Sequence, residues 1–569
     1  MSNPDISTDV LIIGAGPTGL MLANCLRRLD VDAVIVDRKS GPTQESRALG
    51  IQARTMEIYD QLGLVDTVLA QAQAAIAISP GYEDHAFGAI PIGDIGAGVS
   101  PYPSVYVLEQ SRNEQIMVDS LLSLGGSVLW NYELLALDEQ ADTTDPGSVA
   151  PGRRSGTPGA ASATFSTPDG RRTVEARYCV GADGGSSQVR SLRNIAFEGI
   201  TNQHTFYVAD GTGVNGLVDK AVNVRMGRTD FLISFPMASG GHDRLIGVVR
   251  ESDIPGEPEP AARQEPEPAA PHEPEPATPH EPEPAVPRRP KAKASDPAGK
   301  DIPEQIARDR LRRIFGVTYR DTSWFSTYRV HHRVAEKFRD GPFFLAGDAG
   351  HLHSPVGAQG MNTGLQDAHN LACKLSDVIR NHAPDSYLDR YGAERRPVAL
   401  RIVASTDRLF GLVTSENQLA RLVRRFGPRF IGPLLIRILP RLSGSARLFG
   451  YISQTRIHYW MNDDAKAAAG GKRGRIVGRR LPWSGANYTC LQDLSWQVHT
   501  YGDVDAASVA RLRRNLALDI HCFPDARNNG LEPGQFYLVR PDGFVAAAAP
   551  GDLAEAAIRK ALPYPTSEP

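Results

Sequence analysis

A glycine-rich turn near the amino terminus limits what this chain can fold into more than any other feature. The apolar run at residues 9–13 leads directly into the sequence GAGPTG at residues 14–19, and a helical pattern of apolar residues follows. A second apolar run at residues 33–36 ends at Asp37. Strand, turn, helix and strand together make one βαβ unit of about 30 residues. This order predicts an α/β fold that begins with a Rossmann-like unit.

Each glycine of the turn has a physical role in such a unit. Gly14 permits the tight turn, Gly16 lets a pyrophosphate approach the backbone, and Gly19 lets the helix pack closely on the sheet. The helix N-terminus adds unpaired N–H groups and the positive end of its dipole. Asp37 lies 18 residues past Gly19, where an acid can bind ribose hydroxyls. The unit predicts dinucleotide binding, and the alternative is a glycine-rich turn without a ligand.

Two later glycine-rich segments also carry acids. The first, GADGGSS at residues 181–187, is by itself an ordinary Asp-Gly turn. The second follows a buried apolar run at residues 343–346, and it places Asp348 where a carboxylate can bind polyol hydroxyls. The amides of residues 360–362 begin a predicted helix and can face a developing anion. His351 and His353 have no third and fourth ligand nearby, so no metal site is predicted.

Composition excludes several other classes of protein. The 569 residues carry a formal charge of −3, which does not fit a strongly basic nucleic-acid-binding protein. The five cysteines include no C-x-x-C, so a dithiol or a zinc ribbon is not expected. No apolar run reaches the length of a membrane span. We therefore expect a cytoplasmic protein without a nucleic-acid or membrane partner, and a homodimer stays open.

Two further segments mark the domain organisation. The sequence EPEPA starts at Glu257, Glu265, Glu273 and Glu281, a period of eight residues. Proline at this density prevents helix and sheet, so an extended acidic insertion is predicted at 255–300. Residues 142–163 are rich in Gly, Pro, Ser and Thr and predict a surface loop. The last hundred residues contain short strand patterns around Pro541-Asp542-Gly543, which indicate a separate small α/β domain.

The three glycine-rich motifs, in this order and spacing, resemble those of the FAD-dependent aromatic hydroxylases. These are single-component flavoprotein monooxygenases of the para-hydroxybenzoate hydroxylase fold, and the phenol hydroxylase branch with the polyketide and rifampicin hydroxylases is the most similar. The resemblance covers residues 9 to about 391 apart from the two insertions, and the last hundred residues only weakly. It implies a Rossmann-like FAD-binding domain interleaved with a β-sheet substrate domain, followed by a small thioredoxin-like α/β domain without a dithiol. The implied ranges are 1–77, 105–195 and 321–400 for FAD binding, 78–104 and 196–320 for substrate, 401–460 for a helical linker, and 461–569 for the C-terminal domain.

The resemblance also implies the residues of the site. Arg47 would contact FAD near the moving flavin, and the backbone carbonyl of Pro355 would face the substrate, so these two are the implied catalytic residues. No metal is implied. The implied cofactor-binding residues are Gly14, Gly16, Thr18, Gly19, Asp37, Arg38, Arg47, Gln110, Asp183, Gly184, Gly347, Asp348, Gly357, Gly360, Met361 and Asn362.

By the same resemblance, NAD(P)H reduces FAD, dioxygen gives a flavin 4a-hydroperoxide, and one oxygen atom is transferred to a phenolic ring. The implied substrate is a polycyclic aromatic polyketide or another natural product. A small phenol of aromatic catabolism and a non-catalytic flavin-binding scaffold are the alternatives. A base must activate the phenol. Arg329, His331 and Arg333 share one face of a predicted strand, which either approaches the cofactor or is a structural face.

Overall fold

The structure is a computed structural model, and it describes most of the chain. The described residues are 5–43, 48–140, 160–228, 230–237, 241–249, 302–353, 359–414, 445–462, 466–467 and 473–564. Within this part of the chain, no helix is both long and apolar enough to cross a lipid bilayer.

The described residues form strands and α-helices, with several runs of consecutive strands. The strands are β1 (Ile6–Ile13), β2 (Ala33–Asp37), β3 (Gly50–Ile51), β4 (Gln73–Ala75), β5 (Ala77–Tyr82), β6 (His85–Ala86), β7 (Ile90–Pro91), β8 (Val105–Val107), β9 (Val128–Trp130), β10 (Glu133–Glu139), β11 (Ala161–Thr167), β12 (Gly170–Gly181), β13 (Phe197–Thr212), β14 (Ala221–Met226), β15 (Phe231–Pro236), β16 (His242–Val249), β17 (Asp321–Ala335), β18 (Arg339–Asp340), β19 (Phe343–Leu345), β20 (His351–Leu352), β21 (Gln497–Tyr501), β22 (Asp519–Phe523), β23 (Gln535–Val539) and β24 (Val545–Pro550). The α-helices are α1 (Pro17–Arg28), α2 (Ala53–Gln61), α3 (Val65–Gln71), α4 (Gln110–Ser123), α5 (Gln188–Leu192), α6 (Glu304–Phe315), α7 (Gly360–Ile379), α8 (Asp389–Thr414), α9 (Ser445–Ile452), α10 (Ala506–Leu516) and α11 (Ala554–Ala561).

The first sheet brings the three glycine-rich motifs to one edge. Its strand order is β10-β11-β12-β1-β2-β9, with β19 also paired to β12 and β18 to β19. Strands β2, β1, β12 and β19 are parallel, and Ile13 lies opposite both Val36 and Gly181 while Gly181 lies opposite Leu345. Because the carboxyl ends of parallel strands meet at one edge, the motifs that follow β1, β12 and β19 are adjacent.

Helices α1, α4 and α7 pack near this sheet to form the main core. Val10, Leu11 and Ile12 of β1 are fully buried. A Cβ built on Gly19 would lie 1.8 Å from the backbone oxygen of Gly14, so the helix can sit this close to its own turn only with glycine there. The packing role predicted for Gly19 therefore has a direct steric reason.

The second sheet is antiparallel apart from one parallel pair, and it draws on two separate parts of the chain. Its order is β20-β17-β13-β16-β15-β14-β5-β6, with β7 paired to β5, and β14 and β5 form the parallel pair. β13 and β17 are its longest strands and pair over most of their length. Strands β15 and β16 present one face of this sheet toward the edge of the first sheet, where the glycine-rich motifs lie.

A third sheet of four strands forms a separate core near the carboxyl end. Its order is β22-β21-β23-β24, in which β21 and β22 are parallel and joined by α10 while the other pairs are antiparallel. Fully buried Val498, Leu512 and Leu538 are at the centre of the core that this sheet shares with α10 and α11. The predicted fold class, α/β with a Rossmann-like unit, is confirmed. The thioredoxin-like assignment and the domain boundaries stay predictions.

A tight turn of this C-terminal part docks on helices α7 and α8. Arg540 donates to Glu394 at 2.8 and 3.0 Å, and Asn370 donates to Asp542 at 3.0 Å. Lys374 also donates to Glu394, at 2.8 Å. The charged side chains of this cluster, which are those of Lys374, Glu394, Arg540 and Asp542, are at most 5% exposed. Charged groups are therefore buried at the contact between the C-terminal part and helices α7 and α8.

Asp377 of α7 makes another link to the C-terminal part, and its stability contribution depends on pH. The indole N–H of Trp496 donates to it at 3.0 Å, and burial raises the pKa of this carboxyl to about 6. In the unfolded chain the pKa would be about 3.9. The folded state therefore binds more protons than the unfolded chain between pH 4 and 6. The contribution of the protonated Asp377 carboxyl to the free energy of unfolding is lost as the pH rises through this window.

Asp377→Asn is expected to be more stable than the wild type by about 2 kcal/mol at pH 8 and equal to it at pH 4. Asparagine cannot ionise, yet its amide oxygen can still accept the Trp496 bond. Denaturant unfolding at the two pH values measures the difference. Asp32→Asn, at a carboxylate whose side chain is 60% exposed, serves as the control. A gap between Asp377→Asn and wild type that is the same at both pH values would contradict the expectation.

The surface-loop prediction for residues 142–163 is wrong at its end. Residues 161–163 begin strand β11, which pairs with both β10 and β12, and the small side chains of Ala161 and Ala163 are buried there. Residues 141–159 and the acidic repeat at 255–300 lie outside the described residues, as do 415–444 of the predicted helical linker.

Candidate active site

A cleft of about 500 Å³ lies where the edge of the first sheet faces β15 and β16. Its lining includes eleven of the predicted cofactor-binding residues: Gly14, Gly16, Thr18, Asp37, Arg38, Gln110, Asp183, Gly184, Asp348, Gly360 and Met361. Motifs that are up to about 330 residues apart in sequence therefore share one cavity.

The first glycine-rich turn leaves an open cradle in this cleft. Gly16 is the N-cap of α1, and a Cβ built on it would meet no atom within 4 Å. Gly14, in contrast, has a φ of +109° and a Cβ there would lie 2.4 Å from the backbone oxygen of Ala182. A glycine is thus needed at position 14 because neighbouring backbone atoms leave no room for a side chain. Gly16, in contrast, borders empty space at the positive end of a helix dipole, where a ligand can bind.

Asp37 holds the turn while it lines the cleft. Its Oδ2 accepts from the backbone N–H of Ala15 at 2.6 Å, and its Oδ1 accepts from the N–H of Lys39 at 2.8 Å. Each carboxylate oxygen has two lone pairs, so acceptor capacity is left for a ribose hydroxyl. The carboxylate predicted for ribose binding therefore also fixes the loop that would hold the pyrophosphate.

Asp183 combines a capping role with an unused acceptor. Its Oδ2 accepts from the N–H groups of Gln188 and Val189 at 2.7 and 3.2 Å at the start of α5. Its Oδ1 is buried and has no hydrogen-bond partner, and burial raises the pKa of the carboxyl. A buried acceptor without a donor costs free energy, so this atom is expected to receive a donor from a ligand in the cleft.

Arg190 ties the second motif to the third. Its guanidinium donates to the backbone oxygens of Ala349 and Gly185, at 2.8 and 2.7 Å. Gly347 has a φ of +60°, and a Cβ on it would lie 2.4 Å from Thr18 Oγ1. The third motif is therefore packed against both earlier motifs, and Asp348 reaches the cleft from this turn.

Asp367 of α7 supports the third motif from behind. It accepts from the N–H of Gly347 at 3.2 Å and from the ring of His351 at 2.7 Å. His351 is thus a buried structural side chain, while His353 lines the cleft. Among the described residues, no three His, Cys, Asp or Glu side chains are grouped so that they could hold a metal ion.

Helix α7 begins at the cleft with Gly360 and Met361, but Asn362 points inward. Its Oδ1 accepts from the N–H of Gln52 and the hydroxyl of Thr55, at 2.9 and 2.7 Å, and its Nδ2 donates to the oxygen of Gly50 at 2.7 Å. The Asn362 side chain therefore joins α7 to the start of α2. Gly19 and Gly347 are likewise not among the residues that line the cleft, and the cofactor-binding role of all three stays a prediction.

Glu114 is a cleft residue that the motifs did not reveal. It lies one turn after Gln110 on α4, and the side-chain amide of Gln110 donates to it at 2.8 Å. It also accepts from the N–H of Thr43 at 3.1 Å. The carboxyl is nearly fully buried, and burial raises its pKa. The i, i+4 spacing from Gln110 was the available signal, because such residues share a helix face.

Arg244 is the second unexpected residue, and it faces the glycine-rich motifs from β16. It donates twice to Asp210 of β13, at 2.6 Å each, and is 1% exposed. Its Nη1 is buried without a hydrogen-bond partner. Phe235 and Ile246 line the cleft beside it. Nothing in the local sequence marks these residues, because only the pairing of β13, β15 and β16 brings them together.

Some residues that the sequence analysis singled out are not among those that line the cleft. Arg47, Pro355 and Gly357 lie outside the described residues, so their roles stay predictions. None of Arg329, His331 and Arg333 lines the cleft, which favours the alternative that they form a structural face of β17. His331 and Arg333 form hydrogen bonds with Thr201 of β13, the strand that pairs with β17.

The described residues fit FAD. The open cradle at Gly16, the acceptor capacity of Asp37, the unpaired Oδ1 of Asp183 and the N-terminus of α7 form one lined path through the cleft. A dinucleotide needs a pyrophosphate cradle, an acid for ribose and donors for its ring system. These residues would hold the adenosine, pyrophosphate and ribityl parts, and bound FAD would supply the redox chemistry.

Comparison with known proteins agrees with this fit. The FAD binding domain family matches residues 7–406 of the chain. A 6-methylpretetramide 4-monooxygenase from Streptomyces rimosus is 30% identical over 95% of this chain and 90% of its own length. A rifampicin monooxygenase from Rhodococcus hoagii is 30% identical over 70% of each chain. The solved structure of an anhydrotetracycline hydroxylase from Streptomyces rimosus has a TM-score of 0.69 at 25% identity, and covers 99% of this chain and 100% of that one.

The chain is an enzyme of the flavin-dependent aromatic monooxygenase class. It belongs to the FAD binding domain family, with FAD as cofactor and NAD(P)H as co-substrate. The resemblance drawn from the three motifs, the cofactor and the reaction class are confirmed.

The chain's own groups contribute positioning and electrostatics to this reaction. The N-termini of α1 and α7 direct positive dipole ends into the cleft, where they favour negative charge. Phe235 and Ile246 give part of the cleft an apolar wall, and such a wall is suited to keeping water away from a bound ring. Arg244 is held rigidly by Asp210, so its free N–H can orient an oxygen without reorganisation.

Proposed function

We propose that this enzyme hydroxylates a multi-ring aromatic substrate of the polyketide type at a phenolic ring, with NAD(P)H and dioxygen. The observation that carries the proposal is the single cleft in which the FAD-binding motifs face Phe235, Arg244 and Ile246. An apolar wall with one fixed cation suits a flat aromatic ligand that carries an ionised oxygen.

The choice of a multi-ring substrate is supported by the relatives. Those that match 95% of this chain include monooxygenases named for 6-methylpretetramide and for anhydrotetracycline. Pentachlorophenol 4-monooxygenase, which is named for a small phenol, is 26% identical over 72% of the chain. The longer match favours the larger substrate over the small phenol.

Within this proposal, Arg244 receives the oxygen of the ionised phenol. Its two bonds to Asp210 leave Nη1 as the donor without a partner, and a charge-assisted bond to a phenolate is stronger than a neutral one. Arg47 and Pro355 are proposed to act on the flavin and substrate sides of the reacting ring. A cytoplasmic location and a homodimer are retained as predictions.

The proposal is tested by NAD(P)H oxidation and oxygen uptake across a panel of polycyclic phenols and single-ring phenols, with mass spectra of the products. We expect oxidation to rise with one polycyclic phenol and to yield a product heavier by one oxygen atom. A response to single-ring phenols alone would replace the polyketide class with the small-phenol alternative. A protein that holds FAD but is never reduced by NADH or NADPH under anaerobic conditions would favour the non-catalytic scaffold.

Arg244→Lys tests the residue assignment with the responsive substrate. Lysine keeps the charge beside Asp210 but lacks the planar fork of donors, so KM is expected to rise about tenfold with unchanged FAD content. Arg228→Lys, at a side chain that is 73% exposed, is the matched control. Equal KM values for the two variants would remove Arg244 from the substrate site.

A further inference from the structure

A second cavity, of about 300 Å³, lies apart from the cleft and shares no lining residue with it. It opens where the loop before β8, the end of α9 and the segment after residue 473 meet. Four arginines line it: Arg456, Arg475, Arg479 and Arg480. The other lining residues are uncharged, so the cavity presents one sign of charge.

Little negative charge neutralises the guanidinium groups of these four arginines. Within the described residues, Glu57 is the one carboxylate in an ion pair with any of the four, at 3.1 Å from Arg480. Arg479 donates to the backbone oxygen of Gly474 at 2.8 Å, and the guanidinium of Arg456 lies 5.1 Å from the ring centre of Tyr451. Contacts to carbonyls and aromatic faces orient a guanidinium but do not cancel its charge.

The excess of positive charge contributes to lowered pKa values of two titratable groups in this region. Burial, together with Arg456 and Arg473, lowers the pKa of Arg479. Burial also lowers the pKa of His458 to about 4, with Arg479, Arg473 and Arg401 adding to the effect. Like charges at close range disfavour each other, and a bound anion would relieve that repulsion.

Arg480 is the most buried of the four arginines that line the cavity. Its side chain is only 6% exposed, and its Nη2 donates to the backbone oxygen of Val99 at 2.9 Å. Its Nε is buried and has no hydrogen-bond partner. Glu57 and the backbone oxygen of Val99 thus hold this guanidinium in position beside the cavity.

We propose that this cavity binds a phosphate-type oxyanion. Guanidinium groups match the oxygens of phosphate in pairs, and an anion here would join the loop that holds Val99, helix α9 and the C-terminal part of the chain. The same chemistry could come from a free phosphate or from the 2′-phosphate of a dinucleotide. The proposal is independent of the substrate assigned above.

The test titrates the holoenzyme calorimetrically with inorganic phosphate, at an ionic strength kept constant with chloride. We expect one saturable site per chain, and at least a tenfold weaker Kd in the double variant Arg456→Gln/Arg475→Gln. Both side chains are exposed, so the fold is expected to persist, and the single variant Arg475→Gln gives a second measurement. Arg514→Gln, at an exposed arginine on α10, is the matched control.

Titrations with NADP⁺ and NAD⁺ distinguish the two sources. A heat signal with NADP⁺ that NAD⁺ lacks, and that the double variant loses, would support the dinucleotide phosphate. Saturable binding of inorganic phosphate with no such difference would support a free phosphate. The proposal is overturned if phosphate binds no better than chloride, or if the double variant and Arg514→Gln bind phosphate equally.

Discussion

Arg540→Met is expected to lower the free energy of unfolding by about 3–5 kcal/mol. The substitution keeps most of the side-chain volume but removes the cation that faces Glu394 and Asp542. Arg540 donates to Asp542 at 3.0 and 2.7 Å in addition to its two bonds with Glu394. After the change, Lys374 and the more distant Arg390, 3.9 Å from Glu394, are the cations left beside two carboxylates that are at most 2% exposed.

The charge balance of this site explains the size of the effect. Burial by itself raises the pKa of Glu394, but Arg540 and Lys374 outweigh it and hold that pKa well below its usual range. The ionised form of Glu394 thus depends on both cations. Without Arg540 the chain must either bury an uncompensated charge or protonate a carboxyl, and each choice costs free energy.

Denaturant unfolding measures the loss, with Arg527→Met as the matched control in the same part of the chain. Arg527 pairs with Asp525, but the two side chains are 66% and 44% exposed, so the control is expected to lose less than about 1 kcal/mol. Similar losses in the two variants would mean that the buried cluster does not hold the C-terminal part on α7 and α8.

Gly16→Val is expected to weaken FAD binding at least about 100-fold while the fold persists. The residue has a φ of −82° and a ψ of −175°, a conformation that any residue adopts, and its Cβ would meet no protein atom within 4 Å. The added side chain therefore projects into the cleft, where the pyrophosphate would otherwise contact the backbone. The substitution is therefore expected to weaken FAD binding without disturbing the packing of the protein.

Flavin content per chain and thermal unfolding of the apoprotein separate these two effects. Gly392→Ala is the control, since its Cβ also meets no atom within 4 Å but it lies in α8, away from the cleft. Alanine is the better helix former, so this control is expected to keep its flavin and gain slightly in stability. Full flavin content in Gly16→Val would place the pyrophosphate elsewhere.

Sequence and structure agree at two glycines of the first glycine-rich turn. Gly14 and Gly19 were predicted from spacing, and the structure shows the carbonyl oxygens that exclude a Cβ at each. Such positions are readable because backbone geometry acts over a few residues. The hydrogen bonds of the Asn362 side chain with the start of α2, in contrast, could not be predicted from its motif. Side-chain direction depends on what packs nearby, which a local motif does not contain.

The sequence by itself determined the α/β class, the order of the three motifs and the prediction of dinucleotide binding, because each motif needs particular residue types at short spacing. The flavin chemistry followed from the resemblance of these motifs to those of a known family. Only the tertiary structure decided that Arg244 faces the cleft, that Arg540 and Glu394 are buried partners, and that four arginines line a second cavity. These contacts join strands and helices from distant parts of the chain. Their energies depend on burial and on neighbouring charges, which are set only when the sheets and helices are packed.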